Sequence, residues 1–71
     1  MYISEKFFRD LHLEYGALIY LVTETGEGFT GAFHNGFNGT SFLFSNFSNG
    51  KTQTIALDKL QHLEKVKPVS Q

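Results

Sequence analysis

Two kinds of hydrophobic spacing divide the chain, a helical one at the start and an alternating one through most of the rest. Phe7 and Leu11 recur at a helical interval after Ser4, a residue type that commonly caps helices. We therefore predict a short helix over about 4–13, which packs on the remaining chain through its phenylalanine face. Gly16 is its natural stop, although the alternation that begins after Leu11 allows an earlier end.

The rest of the chain alternates in the manner of strands and is interrupted by turn residues. Residues 17–23 are uncharged and rich in β-branched and aromatic types, which predicts a strand covered on both faces. Residues 28–34 alternate apolar and polar positions, as in a half-buried strand. Asn49-Gly50 is the strongest hairpin signal. The predicted strands are residues 17–23, 28–34, 41–47, 51–56 and 60–66, with a tight turn at 57–59.

The last predicted strand is ambiguous. Leu57, Leu60 and Leu63 also have helical spacing. We favour a strand, because four strands alone would leave a small barrel unclosed. Gly31 would permit a sharp bend or a close approach of two backbones, and such bends let a short sheet curl.

The fold class that follows is mainly β. We expect a single domain over 1–71, with a short N-terminal helix before a strongly bent, five-stranded antiparallel barrel of the SH3-like kind over about 17–66. Residues 67–71, after the last strand, are expected to form a loose tail. A domain of 71 residues buries a limited core, and without cysteines it has no disulfides, so association is the remaining means of stabilisation.

Composition narrows the function classes. The net charge is −1 and only 18% of residues are charged, which is not the basic surface of a strong nucleic-acid binder. Eight phenylalanines are more than a small barrel can bury well, so some are expected at a contact surface. No apolar run approaches the ~20 residues that span a bilayer, and no signal peptide is evident. We expect a cytoplasmic protein without membrane contact.

Catalytic and metal-binding patterns are not evident. His12, His34 and His62 fall on three separate elements with no close carboxylate in sequence, so we expect no metal site and interpret them as surface or turn residues. The carboxylates are dispersed, and no pattern pairs an acid with a base or forms a phosphate loop. We therefore expect a protein that is not an enzyme and needs no cofactor.

The spacing of glycines and apolar residues resembles the Sm/LSm family. In that family a turn glycine is followed by an apolar residue, a second glycine and another apolar residue at alternating positions. A second motif places an isoleucine before two apolar residues. The matching residues are Ile19, Leu21, Gly26, Phe29, Gly31 and Phe33 in the first motif, Phe42 and Phe44 after its loop, and Ile55, Leu60 and Leu63 in the second.

The resemblance implies an Sm-like barrel that assembles into a homo-oligomeric ring of about five to seven copies through strands four and five. It also implies an RNA-binding or RNA-chaperone function. The four positions of the family's uridine pocket are occupied here by Phe37, Ser41, Ala56 and Leu57, none of which matches the family's residue. The implied nucleotide pocket is therefore non-standard.

The candidate RNA-binding residues are Phe37, Asn38, Ser41 and Lys59. Phe37 is suited to stack on a base, Asn38 to read a base edge and Lys59 to contact a phosphate. The structural alternatives are a Phe37 packed under its own turn or against a neighbour, Asn35 and Asn38 at turn positions with positive φ, and a solvated Lys59. The alternative function is a structural or protein-interaction module with an SH3-like barrel that does not bind RNA.

Overall fold

The computed structural model describes residues 3–66, which form one short helix and one antiparallel sheet. The elements are α1 (Glu5–Asp10), β1 (Leu18–Thr23), β2 (Gly28–Asn35), β3 (Ser41–Asn46), β4 (Lys51–Ala56), a 3₁₀ turn (Leu57–Lys59) and β5 (Leu60–Lys65). The strand order is β4-β3-β2-β1-β5. The mainly β class, the short N-terminal helix and the strand character of the last segment are thus confirmed. The sheet does not close on itself, and the predicted tail, 67–71, lies outside the described residues.

Helix α1 begins where the sequence predicts and ends earlier than the predicted boundary at 13. The Phe7 backbone N–H donates to Ser4 Oγ (3.1 Å), so Ser4 is the N-cap. At the other end the Leu11 and His12 amides donate to carbonyls only three residues back. His12 then takes a φ of 51°, which turns the chain out of the helix. The predicted helix over 4–13 was therefore too long.

The core lies on one face of the sheet, beneath α1. Strands β1, β2 and β3 alternate buried and half-exposed positions, because successive side chains of a strand point to opposite faces. The 3₁₀ turn and β5 contribute leucines from the other end of the sheet. The buried hydrophobic residues are Phe8, Ile19, Leu21, Phe33, Phe42, Phe44, Leu57, Leu60 and Leu63. Burying each large side chain contributes about 1.5–3 kcal/mol, so this cluster supplies most of the stabilising free energy.

The opposite face of β1 is only half-buried. Leu18, Tyr20 and Val22 keep intermediate exposure, so the predicted coverage of both faces is complete on one face only. The phenylalanines divide in a similar way, since four are buried while Phe7 and Phe47 are 45% and 59% exposed. The single chain therefore leaves aromatic surface uncovered, as its composition predicted.

The two edges of the sheet are β4 and β5, and their free amides can be identified. The Leu57 amide donates to the Thr40 carbonyl, in register with the β3–β4 pairs. Hydrogen-bonded and non-hydrogen-bonded pairs alternate along an antiparallel ladder, so the amides of Thr52 and Thr54 face away from β3. By the same alternation from the bond between Val66 and Leu18, the β5 amides of residues 63 and 65 face away from β1. Among residues 3–66, no helix has the length and apolarity needed to cross a membrane.

Candidate functional site

The loop before β3 and the 3₁₀ turn after β4 lie side by side. Ser41 pairs with Ala56 in the sheet, and the Leu57 amide donates to the Thr40 carbonyl at 2.8 Å. Three of the four positions at which the family resemblance places a nucleotide pocket, namely Ser41, Ala56 and Leu57, are therefore neighbours. The fourth position, Phe37, points elsewhere.

A cleft of about 320 Å³, here called cleft A, lies between this junction and the start of α1. Its walls are mostly apolar and include Ala56 and Leu57. Among residues 3–66, its charged members are two carboxylates, Glu5 and Asp58, and no lysine, arginine or histidine of this part of the chain lines it. Asp58 makes cleft A unfavourable for a phosphate, and its described lining holds no planar cation of the kind that the family's uridine pocket uses. Its chemistry is suited to an apolar or cationic group.

Asn38 shapes the loop beside cleft A. Its Oδ1 accepts hydrogen bonds from the Thr40 backbone N–H (3.0 Å), the Thr40 hydroxyl (3.1 Å) and the Ser41 backbone N–H (2.9 Å). The hydrogen bonds of this oxygen are thus made within its own turn. The expected positive φ is confirmed at Asn35 (φ 123°), whereas in the second Asn-Gly step it falls on Gly39 (φ 101°) and Asn38 does not adopt it.

Phe37 packs against the helix. It is half-buried, and its ring stacks on Phe8 with centroids 4.2 Å apart, while the Arg9 guanidinium carbon lies 5.0 Å from its centroid. The arrangement combines aromatic stacking with a cation–π contact. Phe37 thus packs within its own chain, and its partner is α1, not its own turn.

A second cleft, cleft B, has a volume of about 310 Å³ and a more polar surface. Phe37, Phe8 and Phe33 contribute its apolar part, Arg9 contributes a cationic group and His12 an imidazole. Arg9 also forms an ion pair with Glu5 (2.7 Å), both groups being at least half exposed. Cleft B therefore offers aromatic surface beside a guanidinium and an imidazole.

Cleft B also contains the two strained backbone positions of the described chain. Among residues 3–66, His12 (φ 51°) and Asn35 (φ 123°) are the non-glycine residues with positive φ, and both line this cleft. Such conformations are costly for residues with a Cβ and cluster at binding sites. The sequence did not point to Arg9 or His12 as site residues, because the contact of Phe8 with Phe37, which brings α1 over this loop, joins residues distant in sequence.

Lys59 lines neither cleft, and its neighbour Asp58 lines cleft A. Its ammonium group is 3.6 Å from Glu24, and its carbonyl accepts from the Glu24 amide at 2.8 Å. Both side chains are more than half exposed, so the pair contributes little to stability. The four predicted site residues are therefore split between the cleft A loop, cleft B and the end of the 3₁₀ turn, where Lys59 contacts Glu24.

The histidines are separated, and one has a carboxylate partner that the sequence reasoning overlooked. His62 Nε2 lies 2.7 Å from Glu64 Oε1, because residues two apart on a strand share a face. His34 instead packs beside Tyr15, with ring centroids 5.2 Å apart. Within residues 3–66, no three histidine, aspartate or glutamate side chains lie close enough together to hold a metal ion.

Phe8 supports the floor of cleft B, and its removal is expected to be costly. It is 5% exposed and stacks on both Phe37 and Phe42. We expect Phe8→Ala to lower the free energy of unfolding by about 3–5 kcal/mol, from lost burial and the remaining cavity. Urea unfolding followed by circular dichroism measures this. Phe7→Ala, on the same helix and 45% exposed, is the control, with an expected loss below about 1 kcal/mol. Equal losses would contradict the assigned packing.

Comparison of the chain with protein-family models, with curated proteins and with solved structures finds no significant match.

Proposed function

We propose that the chain is a subunit of an Sm-like homo-oligomeric ring that binds single-stranded RNA through a non-standard site. The observation that carries the proposal is the strand order, which leaves β4 and β5 as the two edges of one antiparallel sheet. The sequence resemblance places ring contacts on these same two strands.

The edges are suited to addition of further copies. The outward amides of Thr52 and Thr54 on β4, and of residues 63 and 65 on β5, are unpaired within residues 3–66. Neither strand carries a proline that would block pairing. When β4 of one copy pairs with β5 of the next, the same rotation is repeated at every contact, and a ring forms where a whole number of these rotations completes a full turn. Exposed aromatic surface such as Phe47 would be covered in such an assembly.

The bent shape that a barrel needs is supported by local irregularities in the sheet. The register shifts between Phe33 and Asn35 and again between Val22 and Thr23, and bulges of this kind increase bending and twist. Gly31 adds a position at which neighbouring strands come unusually close. A small barrel completed by neighbouring subunits is consistent with these features.

RNA contact is proposed at cleft B. Phe37 offers aromatic surface for a base, the Arg9 guanidinium offers a positive group for a phosphate, and His12 offers an imidazole nitrogen for a hydrogen bond. Asn35 supplies an amide at the rim. Because the described residues that line cleft A include carboxylates and no cation, the proposed site does not depend on the uridine pocket of the family, and we expect little preference for uridine.

The native mass of the protein as isolated from cells, before any nuclease step, is the first test. We expect about five to seven chains with additional mass that nuclease removes. A ring without additional mass would support the proposed assembly and contradict the proposal that it carries RNA. A single-chain species at micromolar concentration would contradict the ring.

Salt dependence tests the RNA contact. For a labelled single-stranded oligonucleotide measured by fluorescence anisotropy, affinity should fall roughly tenfold between about 50 and 200 mM salt if two to three phosphates are neutralised. Arg9→Gln should flatten this dependence, because one phosphate contact is lost. Lys51→Gln, at an exposed lysine that lines neither cleft, should leave it unchanged. An affinity that does not change with salt concentration would exclude phosphate contacts.

Cleft A favours a second candidate function. Its apolar walls and its carboxylates, Glu5 and Asp58, are suited to a basic or apolar segment of a protein partner. A protein-interaction module would use this cleft without RNA. An Asp58→Lys change should abolish such an interaction and leave an RNA contact at cleft B intact, which separates the two functions.

A further inference from the structure

Three Asn-Gly steps occur in the chain, and they share a chemistry that needs only water. The backbone nitrogen of the glycine attacks the asparagine side-chain carbon, a C–N bond forms, the bond to Nδ2 breaks and ammonia leaves. Water then opens the cyclic imide to aspartate or isoaspartate. A glycine after the asparagine favours this cyclisation because it has no side chain to hinder the attack. The steps are Asn35-Gly36, Asn38-Gly39 and Asn49-Gly50.

Two of the three steps are held in unreactive arrangements. The Asn38 side-chain oxygen accepts two backbone amides and a hydroxyl, so its carbon cannot rotate toward Gly39 without breaking them. The Asn49 oxygen accepts the Lys51 amide (2.9 Å), and the attacking nitrogen, that of Gly50, itself donates to the Asn46 carbonyl (2.8 Å). Hydrogen bonds thus restrain the side-chain amide at Asn38, and they restrain both the side-chain amide and the attacking nitrogen at Asn49-Gly50.

The third step is free of these restraints. Within residues 3–66, neither the Asn35 side-chain amide nor the Gly36 N–H takes part in a hydrogen bond. Asn35 is exposed, lies at the register shift that ends β2 and has a φ of 123°. Gly36, with a φ of 78°, also lies in the left-handed region. The strain at Asn35 is relieved when the backbone rearranges.

We propose that Asn35 is a site of spontaneous deamidation and that the folded protein directs this modification to Asn35 in preference to Asn38 and Asn49. The reaction consumes water and releases ammonia, and its product carries one additional negative charge. That charge appears on the rim of cleft B, which Arg9 and His12 also line. The isoaspartate product also lengthens the backbone at the end of β2, next to the loop that positions Phe37. The modification therefore changes both the charge and the shape of this cleft.

The test follows the three sites in one molecule. The folded protein is incubated at mildly alkaline pH, the acidic form is separated by ion exchange, and tandem mass spectrometry assigns the converted asparagine. We expect conversion at Asn35 to be about tenfold or more faster than at Asn38 and Asn49, because the hydrogen bonds at those two must first be broken. In urea, where the fold is lost, the three rates should become similar.

An Asn35→Gln variant is the matched control, since glutamine forms the corresponding ring far less readily. It should suppress the acidic form while the rates at Asn38 and Asn49 stay unchanged. Equal rates in the folded protein, or faster conversion at either of the other sites, would overturn the proposal. RNA binding does not enter these measurements, so their outcome is independent of the proposed function.

Discussion

Replacing Gly31 by alanine is expected to lower the free energy of unfolding by about 3 kcal/mol or more, at the upper end of the usual cost of overpacking. A Cβ at this position would collide with the backbone carbonyl oxygen of Ser45 and would lie 2.7 Å from Cζ of Phe44. For a domain of this length, total stability is of the order of 4–11 kcal/mol. One methyl group is therefore expected to remove a large part of it.

The cost is high because neither neighbour of Gly31 can yield. Phe44 has no exposed surface and is enclosed in the core, so its ring cannot turn away without opening a cavity. The Ser45 oxygen belongs to the backbone of β3, whose neighbours β2 and β4 both pair with it. Relief would require β2 and β3 to separate at the middle of the sheet.

Urea unfolding of Gly31→Ala and the unchanged protein, followed by circular dichroism, measures the effect. The control is Gly26→Ala, where a Cβ would meet no atom within 4 Å but φ is +94°. That variant isolates the strain of a left-handed backbone, which costs about 1–2 kcal/mol. If Gly31→Ala were no more destabilising than the control, the close approach of β2 and β3 would be wrong.

The sheet could be predicted closely from the sequence because two signals coincide. Alternation sets which residues share a face, and turn residues set where each strand stops. Residues 51–56, bounded by Asn49-Gly50 on one side and the tight turn at 57–59 on the other, form β4 with the predicted bounds. For β5, the spacing of Leu60 and Leu63 allowed a helix as well. Its pairing with β1 makes this segment a strand, and such pairing is a tertiary effect.

The end of the helix could not be predicted from local signals. Gly16 was the residue best suited to a left-handed stop, and it does have a φ of 85°. The chain turns earlier, at His12, a residue type that adopts this conformation far less readily than glycine does. The contacts of Phe8 with Phe37 and Phe42 fix the position of α1, and they join residues distant in sequence.

The candidate site could be predicted only in part from the sequence, again because it depends on contacts between residues distant in sequence. The family resemblance implied that Ser41, Ala56 and Leu57 occupy related positions, and the sheet makes them neighbours. It could not show that Phe37 would turn toward the helix, because that depends on where α1 docks. Cleft B, which arises from this docking, had no signature in the sequence.

The second prediction with a large expected effect concerns the assembly of the ring through β4. In Thr54→Pro we expect the native mass to fall from that of the assembly to that of a single chain, with the fold retained. The Thr54 amide faces away from β3, so its loss removes no bond of the β3–β4 ladder. It does remove a donor needed for pairing with β5 of a neighbour, and the proline ring obstructs that edge. Light scattering after size exclusion at micromolar concentration measures the mass, and circular dichroism measures the fold.

Thr54→Val is the matched control, because it keeps the backbone donor and the β-branched shape while removing only the hydroxyl. It should assemble like the unchanged protein. If Thr54→Pro retained the full native mass, pairing through β4 would be excluded and the oligomer would have to use other surfaces, such as that around Phe47. If both variants dissociated, the Thr54 hydroxyl would be the required contact in place of the backbone. The pair thus separates edge-strand addition, which depends on the backbone, from association through side chains.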